Sequence, residues 1–192
     1  MKRLKIEKIN EDASIQCSSV FSKILCEKVD VKITTPLIVN VKSISDLIEA
    51  RNRGVGVYVP INGDISGACV FLFSDDSATS LCDKVLNKTK RTISELSSYD
   101  KEVLKELGNI LLGCYLAVFS NISELEIIGG MPKISCDMFG AILEEITSNI
   151  AINAQQALVF KIEFTTERLR KEWIMILIVE SKEVNKIFGS IK

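Results

Sequence analysis

The feature that most constrains this 192-residue chain is an internal repeat, in which residues 4–86 run in parallel with residues 102–188. Each half opens with an amphipathic helical pattern. In the first half apolar residues fall at Ile6, Ile9, Ala13, Val20 and Phe21, and adding 98 gives Leu104, Leu107, Leu111, Val118 and Phe119 without a gap. Steps of three and four residues return to one helical face, so both patterns predict a helix with a buried stripe. Both helices run out near a Ser-Lys or Ser-Asn pair (Ser22 and Lys23; Ser120 and Asn121) and lead through an extended segment to a proline, Pro36 or Pro132.

A second helix is predicted in each half, over 43–51 with Ser43 as its cap and over 139–155. Each half then supplies two strands, 56–60 with 68–73 and 157–165 with 172–179. Asn62-Gly63-Asp64 is a hairpin turn signal, and the charged segment 166–171 joins the second pair, so antiparallel pairing is expected. Short helices over 78–86 and 182–188 close the halves, and 87–99, rich in Lys, Ser and Thr, connects them. Two such units bury their apolar faces best by sharing one sheet with helices packed on it. The expected fold is therefore α/β: a single domain spanning 1–192, built of pseudo-twofold halves of helix plus antiparallel strands. With 47% hydrophobic residues the chain can bury one good core and is short for two domains.

Charge narrows the partners. There are 24 basic and 25 acidic residues and no long run of either sign, so neither a nucleic-acid footprint nor a polybasic membrane patch is expected. The charged start Met-Lys-Arg-Leu-Lys lacks the apolar stretch of a signal peptide and no later segment is expected to reach membrane-span length, which predicts a cytoplasmic protein. The six cysteines (17, 26, 69, 82, 114 and 136) form no C-x-x-C pair and read as buried reduced thiols, with no metal site. The chain has no histidine, which removes the commonest general base and metal ligand. An enzyme built this way must work through carboxylates, amides, hydroxyls or a partner's active site.

The candidate chemistry lies on the second opening helix. With Glu106 taken as zero and about 100° per residue, Glu102 lies near −40°, Asn109 near −60° and Gly113 near −20°. Leu104, Leu107, Ile110 and Leu111 occupy the opposite or adjoining side. An acid and a carboxamide thus project side by side, where the first can grip a cation and the second can orient a water. A glycine inside a helix costs roughly 1 kcal/mol relative to alanine. Gly113 therefore points to a close approach from outside, and Gly108 equally to helix-on-helix packing.

The run Glu106-Leu-Gly-Asn-Ile-Leu-Leu-Gly-Cys-Tyr-Leu, followed by Pro132 and by Cys136-Asp-Met-Phe-Gly-Ala-Ile-Leu, resembles the CheC family of chemotaxis phosphatases, which includes CheX and FliY. The resemblance implies hydrolysis of the aspartyl phosphate of a CheY-type response regulator. Glu106 would pair with the regulator's active-site lysine and Asn109 would hold the attacking water in line, with Glu102 and Gly113 in support. The chain needs no cofactor of its own, since Mg²⁺ would sit on the regulator. The family pattern has Ser or Asp four residues before the Glu, where this chain has Glu102. Pro132 and the segment from Asp137 read as shaping the fold. A noncatalytic adaptor for receiver domains or for the receptor deamidase CheD is the competing reading. A switch component like FliY is a third, disfavoured by a length that leaves no room for a fused switch domain.

Family members with two sites carry Glu-x-x-Asn in both opening helices, and Glu7 and Asn10 offer a second pair. The core register opposes it. Set back by 98, Glu106 and Asn109 fall on Lys8 and Glu11, whereas Glu7 and Asn10 match Lys105 and Gly108, about 100° round the helix. The first copy is expected to be catalytically dead, Lys8 and Glu11 being its degenerate positions.

Overall fold

The computed structural model describes residues 2–87, 96–150 and 156–179. In chain order the elements are α1 (Lys2–Leu25), β1 (Asp30–Ile33), β2 (Leu37–Asn40), a 3-10 turn (Val41–Ser43), α2 (Ile44–Leu47), β3 (Arg53–Gly63), β4 (Gly67–Ser74), α3 (Asp75–Leu86), α4 (Ser98–Ser123), β5 (Ile127–Gly129), β6 (Lys133–Met138), α5 (Phe139–Ile150), β7 (Gln156–Thr165) and β8 (Arg170–Val179). The eight strands form one antiparallel sheet in the order β1-β7-β8-β4-β3-β5, with β2 also on β7 and β6 also on β3. Exchanging each strand for its counterpart in the other half turns that order into itself, as a duplicated sequence predicts. The opening strands change sides. β1 and β2 lie along the second half's β7, while β5 and β6 lie along the first half's β3.

Alternation along the central strands sends side chains to two cores. Cys69, Phe71 and Phe73 of β4, with Trp173, Met175 and Leu177 of β8, meet α1, α3 and α4 on one face. Val70 and Leu72, with Ile176 and Ile178, meet α2 and α5 on the other. Both faces of the middle strands are covered, which is why they read as unbroken apolar runs rather than as alternation. The α/β reading of one domain with helices packed on a shared antiparallel sheet holds.

The local boundaries shift for identifiable reasons. The predicted helix over 43–51 is a 3-10 turn and a single α-turn, because Val41, Ile44 and Ile48 are the only residues there that the second core buries. Ser43 makes no capping bond; Asn40 Oδ1 instead accepts from the Lys42 N–H at 2.9 Å. α3 begins at Asp75, capped by Ser74. α4 begins at Ser98, inside the predicted connector. There Ser97 and Asp100 form a capping box: the Asp100 N–H donates to Ser97 Oγ at 3.2 Å and the Ser97 N–H to Asp100 Oδ2 at 2.8 Å. The predicted helix over 182–188 and positions 151–155 of the other lie outside the described residues.

Two expectations from composition need correction. α4 is long and apolar enough to cross a membrane by length and composition; its apolar side, however, is buried against the sheet. Cys26 and Cys136 are exposed, while Cys17, Cys69, Cys82 and Cys114 are buried, all as free thiols.

α1 is fastened to the edge of the sheet by three serines one turn apart. Ser22, Ser18 and Ser14 Oγ accept the N–H groups of Val29, Val31 and Ile33 at 2.9, 2.8 and 2.9 Å. Four helical residues advance about 6.0 Å and two strand residues about 6.7 Å, so the two repeats stay in step over three rungs. The hydroxyls give the outward amides of β1 the partners that a neighbouring strand would otherwise provide.

Candidate active site

The capping box fixes the start of α4, and burial of Leu104, Leu107, Leu111, Leu112 and Tyr115 fixes its rotation. The remaining face carries Tyr99, Glu102, Glu106, Gly113 and Ala117, all exposed, with Asn109 half-buried beside them. Glu102 is taken up within the helix, its carboxylate 2.7 Å from Lys105 Nζ. Among the described residues no side chain pairs with Glu106 or Asn109. The acid and the amide therefore stand one turn apart with their hydrogen-bonding capacity open to whatever docks there.

The two helical glycines separate cleanly. A Cβ on Gly108 would sit 3.1 Å from Val57 Cγ1 and 3.3 Å from Phe71 Cδ2, so this glycine lets α4 press onto the sheet; the close packing is helix on strand rather than helix on helix. A Cβ on Gly113 would meet nothing within 4 Å. The fold itself gives no reason for glycine there, and its effect is to leave the helix surface low beside Asn109.

In the first half Lys8 and Glu11 are exposed on the outer face of α1, and Ile15, the counterpart of Gly113, is 63% exposed. Asn10 is only 3% exposed. Its Nδ2 donates to Thr34 O at 3.0 Å and its Oδ1 accepts from the Tyr115 hydroxyl at 3.4 Å, so it bridges α1, the end of β1 and α4. Burial, and then the nearby Cys69, push the Tyr115 phenol well above its ordinary range, which keeps it a neutral donor. Glu7 lines a groove between α1 and β1 together with Asn10, Ser14 and Asp30. Glu7 and Asn10 thus face the sheet edge while Glu106 and Asn109 face outward.

The serine ladder escaped the sequence reading. Its signal was present as Ser14, Ser18 and Ser22 at intervals of four, on a helix otherwise read only for its apolar stripe. At 98 residues on, the first two rungs become Leu112 and Leu116, which pack over Gly129.

No model of a protein family matches the chain. The CheY-P phosphatase CheC of Bacillus subtilis (strain 168) is 23% identical over 145 residues, covering 74% of this chain and 69% of that protein. The crystal structure of Thermotoga maritima FliY superposes with a TM-score of 0.79 at 16% identity, over 99% of this chain and 95% of that one. A CheC-like superfamily protein from Shewanella sp. PV-4 gives 0.55 at 13% identity, over 88% and 96%. The chain is thus similar to CheC in sequence and to FliY and a CheC-like protein in fold. On that fold, the outer face of α4 is the surface where a carboxylate, a carboxamide and bare backbone come together.

Proposed function

We propose that the protein is a chemotaxis phosphatase acting on the aspartyl phosphate of a CheY-type response regulator, with one working site on α4. Glu106 anchors the regulator's active-site lysine. Asn109 reaches beside the acyl phosphate and holds a water in line with phosphorus, its carbonyl accepting from that water and its amide donating to the phosphoryl oxygens. The Mg²⁺ that neutralises developing charge belongs to the regulator. Phosphoryl transfer asks mainly for positioning, so a chain without histidine suffices. Glu102 is tied to Lys105 and plays a supporting part, and Gly113 lets the partner's loops close over the water.

The observation that most supports this reading is the pairing of Glu106 and Asn109 on an exposed face, without internal partners, beside a glycine that the fold does not require. The likeness to a protein named as a CheY-P phosphatase points the same way. A silent first copy is supported by the burial of Asn10 and by Lys8 and Glu11 standing where the working pair would be. The test is the decay of the phosphorylated regulator of the same organism with catalytic amounts of the protein. Glu106→Ala and Asn109→Ala abolish the acceleration, and Glu7→Ala/Asn10→Ala leaves it in whatever fraction stays folded. Binding of the phosphorylated regulator without any acceleration by the unmodified chain would replace the phosphatase with an adaptor for receiver domains or CheD.

A further inference from the structure

The outer face of α4 extends beyond the acid, the amide and the glycine. Tyr99 lies seven residues before Glu106, near +20° on the same scale, and Ala117 lies eleven after it on the same meridian. Tyr99 is 62% exposed, whereas every other described aromatic ring is buried or half-buried. Among the described residues no hydrogen bond or ring contact holds it. Its backbone, by contrast, is clamped. Leu96 on one side is buried in the first core, and Asp100 on the other is fully buried and closes the capping box with Ser97. An aromatic ring is thus presented to solvent from a fixed turn of helix, about 10 Å along the axis from Glu106.

We propose that Tyr99 is the residue by which α4 holds and orients the regulator, its ring seated in an apolar hollow of the receiver about 10 Å from the active-site lysine. The inference rests on the phosphatase reading for its partner and adds where that partner is gripped. An ion pair at a wet surface contributes little to affinity, so Glu106 alone gives a weak hold. Asn109 must keep its hydrogen-bonding groups for the water and the phosphoryl oxygens. Gly113 and Ala117 have almost no side chain to bury, and Glu102 is taken up by Lys105. Tyr99 has the area to dominate binding, at low entropic cost because its ring turns about only two bonds. Its position also gives direction. With a large ring at the N-terminal end of the stripe and bare backbone at the C-terminal end, a partner docked on Glu106 fits one way round and not the reverse. A receiver with a carboxylate in place of the hollow would bury that charge unpaired against the ring and be rejected. Receivers with similar active sites are thereby sorted at a point well away from the phosphate.

The test is a split between binding and chemistry. Tyr99→Ala raises the KM for the phosphorylated regulator about tenfold with kcat unchanged, and Tyr99→Phe stays within about twofold. The thermal midpoint moves in neither, because the side chain has no internal partner among the described residues. The contact is read directly by placing p-benzoylphenylalanine at position 99 of an Asn109→Ala chain and irradiating it with regulator phosphorylated by acetyl phosphate. Position 99 gives a crosslinked pair, and the same probe in place of Leu37, which is 59% exposed on β2, gives none. An unchanged KM in Tyr99→Ala, a loss of kcat in its place, or equal capture from both positions would overturn the proposal. Failure of the catalytic reading looks different. Capture at position 99 with no acceleration by the unmodified chain sinks the phosphatase and keeps the grip, whereas acceleration without capture sinks the grip alone.

Discussion

α1 and α4 are built on one pattern and spend their surfaces differently. Both bury the same register of apolar residues, from Ile9, Ala13 and Phe21 in one to Leu107, Leu111 and Phe119 in the other. α1 then commits a polar flank to architecture: Asn10 and the three serines are bonded to the strand beneath it. α4 has leucines at two of those rungs and holds its position by apolar packing, which leaves its polar residues outside. Polar side chains on a helix are thus poor guides to chemistry until their direction is known. Asn10 and Asn109 differ by a single residue in register and by the whole of their surroundings.

The contrast can be broken at several points. The largest expected effect is loss of turnover in Asn109→Ala and Glu106→Ala, of about 100-fold or more for Asn109, the residue proposed to position the water, with the thermal midpoint unchanged because neither side chain has an internal partner among the described residues; phosphoregulator decay and a melting curve check both. Gly113→Ile, which gives α4 the residue α1 carries, should raise the KM for the phosphorylated regulator tenfold or more, since about one and a half kcal/mol of lost contact suffices, and leave the fold intact because the space above Gly113 is open. Next, Ser14→Ala/Ser18→Ala/Ser22→Ala should lower unfolding free energy by about 3 kcal/mol through three unpaired amides, measured by urea titration, with turnover per folded molecule unchanged. Asn10→Ala alone should cost about 1–2 kcal/mol on the same scale. The smallest effect is the most pointed. Lys8→Glu/Glu11→Asn/Ile15→Gly rebuilds the working face on exposed positions of α1 and should raise turnover by no more than about twofold, as two independent sites add.

Much of the fold was legible because the repeat constrained it twice. The opening helix and the later strand pair were read alike in both halves, and the 98-residue spacing held from Ile6 to Phe119. The grouping of Glu102, Glu106 and Gly113 on an exposed face followed from helical period alone, and the structure places them there. What could not be read was anything set by the partner of a side chain. The hydroxyls of Ser14, Ser18 and Ser22 look like ordinary solvated residues until the strand they serve is in place. Gly108 and Gly113 look alike until Val57 and Phe71 are seen under one of them. The start of α4 was misplaced for a simpler reason: Ser97 and Asp100 carried a capping signal three residues apart, but in a stretch already given to the connector by its composition.

The crossing of the opening strands bears on how such a chain is made. β1 leaves the ribosome early, yet the strand it pairs with, β7, begins only at Gln156. The first half must wait, with the edge of β1 that faces β7 unpaired, until more than a hundred further residues have been added, and that wait is a window for misassociation. The same exchange binds the two copies to a common fate. Whether or not it carries chemistry, the first half supplies the seat for β5 and β6, so on the proposed one-site reading it is free to drift at Lys8 and Glu11 but cannot be discarded.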